Sequence, residues 1–547
     1  MTSQSDFHDK TLRVAWWTLA VIVFGVTVAI RIRLLEIPLE RDEGEYAYAG
    51  QLMLQGIPPY KLAYNMKFPG TYGAYAVIMS IFGQTIVGIH FGLLLVNAIT
   101  IALIFILGRR LMNSTVGIAA ATSYAVLSIS PSVLGLAAHA TNFMMVFVLG
   151  GTLLMLRLSE SERHSFERLS ASGLLFGIGV LMKQPALFFI PFGAIHLLWN
   201  DVHQQITLKK ILLRNLIFGV AAIVPLAITC LILWYAGVFD KFWFWTVRYA
   251  AQYGTFLIGE IYSGKWPLYR AMQVSGQSIT EAIGMAWGLW ALAGLGLMVG
   301  LWERRSRRST TFLLGLLVFS ALAVCQGFYF RPHYFIMILP AVSLLVGVAI
   351  SNLSDLLTSR MIVVRFAPLF LLGIILALPI FWEKKFFFVV SPVEASRMIY
   401  SDNPFAESVK IADYLRDHTS PDDTIAVLGS EPEIYFYAQR HSATGYIYTY
   451  GLMEPQQYAQ QMQQEMIREI ERARPEYLIS VVMFYSWLWR PGSEQAIFTW
   501  VNEYTAANYA VVGFVNITPR QTDYFFGDVP PSVESLKDYI LIYKRND

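Results

Sequence analysis

The densest group of reactive side chains is Arg41-Asp42-Glu43-Gly44-Glu45-Tyr46-Ala47-Tyr48-Ala49, which sets three carboxylates within four residues just past an apolar run. A carboxylate at a membrane surface suits a general base, because an acceptor hydroxyl must shed its proton as its oxygen attacks a sugar carbon. The same residues also have a structural reading. Asp42 as an N-cap and Glu43 and Glu45 as first-turn acids would open a helix over Tyr46 to Leu54.

Cations that suit a lipid phosphate follow along the chain. Lys67 lies in Asn65-Met66-Lys67-Phe68-Pro69-Gly70, Lys183 in Leu181-Met182-Lys183-Gln184-Pro185, and Arg331 opens Arg331-Pro332-His333-Tyr334. Snorkelling accounts equally for Lys67, a turn for Lys183 and an interfacial anchor for Arg331. Taken together, they outline a cationic pocket facing the carboxylates.

The elements that hold these residues are membrane spans. Of 547 residues, 55% are hydrophobic and 14% charged, about half the charged share of a soluble domain. Val14 to Ile30, Ile86 to Leu107, Leu216 to Phe239 and Ser309 to Phe330 approach the length that crosses a bilayer. A net charge of +3, with no basic stripe interleaved by aromatics, excludes a nucleic-acid partner. Cys230 and Cys325, the two cysteines, both fall in predicted spans, which excludes a disulfide framework or metal cluster. Lys10 and Arg13 precede an apolar run without a small-residue cleavage site, so this run reads as a retained first span.

Five basic loops orient the chain, since Lys and Arg accumulate on the cytoplasmic side. They hold Arg109 and Arg110; Arg157, Arg163 and Arg168; Lys209, Lys210 and Arg214; Arg304, Arg305, Arg307 and Arg308; Arg360 and Arg365. Placing all five inside gives spans at about 14–34, 86–107, 115–134, 140–157, a hairpin over 170–199, then 212–236, 279–300, 311–330, 334–352 and 366–382. That makes about 11 spans, with the N-terminus cytoplasmic and the C-terminus outside. Arg31, Arg33 and Arg41 are discordant, lying on the outer side of the first span. Residues 1–382 form the transmembrane catalytic domain, with outer loops 35–85 and 237–278. In the first loop, Thr71 to Phe82 is apolar but too short to span and lies in the interface. The second carries Trp243, Trp245, Tyr249, Tyr253, Tyr262, Trp266 and Tyr269, which read as an aromatic belt or as a groove for carrier lipid or acceptor.

From residue 383 to 547 the composition is that of an extracytoplasmic α/β domain. Its pattern is helix Phe405 to His418, strand Thr424 to Leu428, helices Pro432 to Arg440 and Glu454 to Ala473, strand Tyr477 to Met483, helix Ser493 to Ala507, and strands Tyr509 to Val515 and Asp538 to Tyr543. The chain shows no internal repeat, Walker motif or Gly-rich phosphate loop.

Asp42-Glu43 followed by Tyr46, the Lys67-Phe68-Pro69 stretch, Gly108-Arg109-Arg110, Leu181-Met182-Lys183-Gln184-Pro185, and Arg331-Pro332-His333-Tyr334 with Pro340 resemble the GT-C class of membrane glycosyltransferases. Within it they resemble family 39, which includes protein O-mannosyltransferases and the bacterial enzyme that adds aminoarabinose to lipid A. The resemblance covers roughly residues 14 to 350 and is most specific in the first outer loop. The stretch Leu428-Gly429-Ser430-Glu431-Pro432-Glu433-Ile434-Tyr435-Phe436 looks like the soluble tail of many prokaryotic members.

The resemblance implies a GT-C-like α-helical polytopic protein of the cell inner membrane. Its activity would be inverting transfer of a monosaccharide from a polyprenyl-phosphate sugar donor to a lipid, glycan or protein acceptor on the extracytoplasmic side. Asp42 matches the family's catalytic aspartate, with Glu43 beside it, and Lys67 matches a lysine near the donor phosphate. Lys183, Arg331, His333 and Tyr334 are the further candidates for that phosphate. A second acid common in the family is replaced here by Asn142 or the neighbouring His139, so those two are the second-loop contacts and the reaction is expected to need neither metal nor cofactor. Besides donor and acceptor, only membrane lipids are expected as partners. A lipid or solute transporter is the competing reading, and a sensor working through its tail a second. Against the transporter stand acids in an outer loop rather than at mid-membrane, and the lack of repeated halves.

Overall fold

The computed structural model describes residues 2–156, 165–254, 267–357, 361–518, 521–527 and 537–546. Arg157, Arg163, Tyr262, Trp266 and Arg360 lie outside the described residues. The chain folds as two compact units: residues 1–35, 90–229 and 254–390 make the first, and residues 36–89, 230–253 and 391–547 the second.

The first unit is helical. Among the described residues, eight helices of the whole chain are long and apolar enough to cross a membrane, as in a multi-pass membrane protein. Of the remaining expected spans, two correspond to the shorter apolar helices Ser114–Leu127 and Ala140–Leu156. The first arm of the hairpin is Ser165–Met182, whose opening Ser165-Phe166-Glu167-Arg168 is polar. Leu339–Leu357 is the most buried of the eight, because glycines let its neighbours approach backbone to backbone. A Cβ at Gly296 would fall 2.0 Å from the Leu345 carbonyl, and one at Gly347 would fall 2.6 Å from that of Val116. Two of the discordant arginines, Arg31 and Arg33, are held by backbone carbonyls distant in sequence. Arg31 donates to the Ser128 carbonyl at 2.7 Å and Arg33 to those of Phe387 and Val390 at 3.1 and 2.5 Å.

The second unit contains a six-stranded sheet in the order β2-β1-β3-β6-β4-β5. Its strands are β1 (Thr424–Leu428), β2 (His441–Ser442), β3 (Tyr477–Val482), β4 (Tyr509–Ile517), β5 (Thr522–Phe526) and β6 (Tyr539–Arg545). β1 runs parallel to β2 and β3, while β6 is antiparallel to β3 and β4, and β5 to β4. The parallel strand β1 is the apolar run Ile425-Ala426-Val427-Leu428, buried throughout, as a strand covered on both faces must be. Helix Ala459–Ala473 bridges β1 and β3. It buries Ala459, Met462, Gln463, Met466 and Ile470, the spacing of one helical stripe.

Several expected boundaries shift. Glu454 to Ala473 shortens to Ala459–Ala473, with a separate short helix Tyr450–Met453 before it, and Pro432 to Arg440 shortens to Glu433–Ala438. β2 and β5 have no counterpart among the expected strands: β2 has two residues and β5 lies at the sheet edge, so neither has a readable hydrophobic period. Trp245 and Tyr249 do not form a belt. They are buried beside Tyr64 and Tyr446 in the core of this unit, and the Tyr249 hydroxyl donates to Glu454 at 2.8 Å.

Candidate active site

The carboxylate-rich segment is a helix, Arg41–Leu54. Its cap corrects the expectation for Asp42. Glu40 is the N-cap, accepting from the Glu43 amide at 3.0 Å, and the Glu43 carboxylate accepts from the Glu40 amide at 3.3 Å. This is a capping box built from two glutamates, so Glu43 is engaged at the helix end and Asp42 lies inside the first turn. The Ser/Thr-x-x-Glu pattern hid the signal, because here a glutamate takes the capping position.

With the start fixed at Arg41, residues 42, 45 and 46 share one face of the helix. That face meets Lys67, whose ammonium lies 2.7 Å from an Asp42 oxygen and 2.7 Å from a Glu45 oxygen. The ammonium is also 4.6 Å from the Tyr46 ring centre and 5.6 Å from that of Tyr448. Asn65 donates to Glu45 at 2.7 Å and the Tyr72 hydroxyl at 2.6 Å. The Tyr60 hydroxyl donates to the Lys67 carbonyl at 2.7 Å, tying down the loop backbone.

The two carboxylates on Lys67 are not equivalent. The Glu45 side chain is 0% exposed and holds three donors, whereas that of Asp42 is 17% exposed. Burial raises the Glu45 pKa, with Lys67 opposing it and Asp42 adding to it. Burial also works against the charge of Lys67, but Asp42 and Glu45 outweigh it and hold its pKa well above the ordinary lysine value. Lys67 is therefore charged, and one positive charge serves two acids. The sequence alone does not single out Glu45 as a partner of Lys67; its spacing of three from Asp42 is the available sign.

An adjoining face carries Arg41, Gly44 and Tyr48 at helical spacing. The Arg41 guanidinium donates to the Ser430 carbonyl at 2.5 Å, to Asn403 at 3.1 Å and to Glu431 at 3.3 Å. Burial depresses its pKa, but Tyr450 and Glu431 more than restore it.

The other predicted residues lie in the first unit. His139 and His333 stack with ring centres 4.1 Å apart, Lys183 lies 4.5 Å from the Tyr334 ring centre, and Arg331 lies 5.7 Å from that of Tyr329. The Asn142 side chain donates to the Ala137 carbonyl at 3.3 Å.

Residues 69–234 match the family model described as dolichyl-phosphate-mannose-protein mannosyltransferase. No curated protein sequence matches the chain significantly. Among solved structures, the chain is similar to ArnT from Cupriavidus metallidurans in the apo state, at 13% identity over 98% of each chain with a TM-score of 0.54. The same protein bound to undecaprenyl phosphate matches at 14% identity over 97% of each chain, with a TM-score of 0.53. The oligosaccharyltransferase of Archaeoglobus fulgidus, tethered to an acceptor peptide, matches at 12% identity, covering 94% of this chain and 75% of that one, with a TM-score of 0.53. The fold is thus that of ArnT and of the archaeal oligosaccharyltransferase.

Proposed function

We propose that this protein moves a monosaccharide from a polyprenyl-phosphate carrier to an acceptor hydroxyl with inversion, Asp42 acting as general base. The observation that carries the reading is the Asp42–Lys67–Glu45 triad: a partly exposed carboxylate and a partly exposed ammonium 2.7 Å apart, backed by a fully buried glutamate. The likeness to ArnT bound to undecaprenyl phosphate supports the carrier class.

The roles follow from the electrostatics. Glu45 orients Lys67 and half-neutralises it, so Asp42 shares its cation and keeps basicity toward the acceptor proton. An ammonium has three hydrogens, and two point to Asp42 and Glu45. The third is available to the carrier phosphate oxygen on which charge grows as the anomeric bond breaks. The acceptor oxygen forms the new glycosidic bond, its proton passes to Asp42, and the carrier leaves as polyprenyl phosphate. Catalysis is proposed on the extracytoplasmic face, where the carrier phosphate itself is the leaving group and no nucleotide is needed.

Asp42→Asn tests this reading, since Glu40 rather than Asp42 caps the helix. The amide keeps the shape but cannot take the proton, so transfer should fall by a factor on the order of 10² to 10⁴ while undecaprenyl phosphate still binds. Glu43→Gln, which replaces the carboxylate that accepts from the Glu40 amide at the helix cap, should be milder. Cells carrying Asp42→Asn should accumulate a polyprenyl-phosphate sugar in lipid extracts read by mass spectrometry. Normal turnover in Asp42→Asn would remove Asp42 from the reaction.

A further inference from the structure

The Gly429-Ser430-Glu431-Pro432-Glu433 motif has no part in the chemistry above, yet together with Tyr437 and Ser442 it holds the helix that carries Asp42 by an adjoining face. Four contacts are made there, each within the second unit. Glu431 is fully buried and carries the Arg41 guanidinium on one oxygen and the Ser486 hydroxyl, at 2.7 Å, on the other. The guanidinium is sandwiched further, 5.2 Å from the Tyr450 ring centre and 5.4 Å from that of Phe405. Gly44 lies flat against Glu433, so that a Cβ there would sit 2.6 Å from the Glu433 Cβ and 2.7 Å from its backbone nitrogen. The Ser442 amide donates to the Tyr48 hydroxyl at 2.7 Å, and the Leu39 amide to the Tyr437 hydroxyl at 2.9 Å.

Arg41, Gly44 and Tyr48 recur at intervals of three and four, so they form one stripe, with Glu45 at its border and Asp42 one residue further round the helix. A buried, forked guanidinium has one good geometry, and Gly44 packs against Glu433 too closely for a Cβ to fit between them. These contacts set both the rotation and the axial position of the first helical turn. We infer that the C-terminal α/β layer is the positioning element of the transferase site, with Glu431 and Glu433 as positioning residues that fix where the Asp42 carboxylate points.

This inference rests on Asp42 being the base, and the test separates the two. Full-length protein in nanodiscs is assayed as wild type, Asp42→Asn, Glu431→Gln and Gly44→Ala. Turnover is followed on the polyprenyl-phosphate sugars extracted from cells lacking the protein, binding is measured with undecaprenyl phosphate, and folding is read from the melting curve. A displacement of the base by about 1 Å lowers turnover on the order of 10²-fold, so Glu431→Gln and Gly44→Ala should lose kcat to that extent. KM and undecaprenyl phosphate affinity should stay near wild type at temperatures where each variant is folded, although both substitutions lower the melting temperature; general destabilisation would not separate kcat from binding in this way. Glu431→Gln leaves a buried arginine without its counter-charge; if that variant does not fold, Gly44→Ala decides. Wild-type kcat in the folded variants overturns the inference, as does a loss of kcat that always accompanies lost undecaprenyl phosphate binding. An inactive Asp42→Asn beside normal Glu431→Gln and Gly44→Ala removes only the positioning role. A fully active Asp42→Asn removes the base and the inference with it.

Discussion

Glu433→Gln should make the protein more stable at alkaline pH without altering it in acid, and the reason is the burial of a carboxyl beside another acid. The Ser408 hydroxyl lies 2.9 Å from the Pro404 carbonyl and donates to a Glu433 oxygen at 2.7 Å. That bond favours the charged carboxylate but is outweighed. Burial, with the neighbouring Glu431 adding to it, pushes the Glu433 carboxyl up from 4.5 to about 8, so it is the neutral acid at pH 7. The sign follows from linkage. A folded pKa above the unfolded one means that the folded state holds a proton the unfolded state has released, so stability is full below pH 4.5 and declines until pH 8. Each pH unit in that window withdraws at most about 1.4 kcal/mol, so the loss is on the order of a few kcal/mol. Glutamine copies the neutral acid, accepts from Ser408 through its carbonyl and does not titrate. Melting curves of the full chain, followed by tryptophan fluorescence from pH 5 to 9, should begin together. The wild type should then fall behind by about a few degrees at pH 8, with no further divergence above it. Parallel curves for the two proteins across that range would refute a neutral Glu433.

Lys67→Ala should weaken undecaprenyl phosphate binding about tenfold or more, in proportion to a lost charge-assisted bond, with the protein still purified intact; unchanged affinity in equilibrium binding would exclude Lys67 from the phosphate. Arg331→Ala should weaken the same binding, read in the same assay. A reporter fused after Asp547 should behave as exported, because an odd number of spans that begins inside ends outside; cytoplasmic activity of the fusion would overturn that topology.

The membrane class was legible from the sequence because it depends on summed properties. A charged fraction of 14% and uncharged runs of bilayer length need no knowledge of neighbours. The same holds for β1 and for helix Phe405–His418, whose observed limits are those read from the sequence, since local hydrophobic period and turn residues define them. The candidate site was legible in its residue types, Asp42 and Lys67, because only a few reactive groups stand outside the apolar runs.

Partnership was decided by the tertiary structure. Whether Asp42 caps the helix depends on a start shifted to Arg41 by Glu40, a residue without an ordinary N-cap identity. Whether Lys67 is an isolated cation or the centre of a triad depends on a loop folding back about 20 residues to the same helix face. Arg41 counted in sequence as a charge on the wrong side of the membrane. Folded, it is spent on Ser430, Asn403 and Glu431, some 360 to 390 residues away in the chain. Charge patterning sees how many cations a loop contains, but only the folded chain determines which of them already have acceptors, and that is why the α/β layer's grip on the helix that carries Asp42 appears in no local motif.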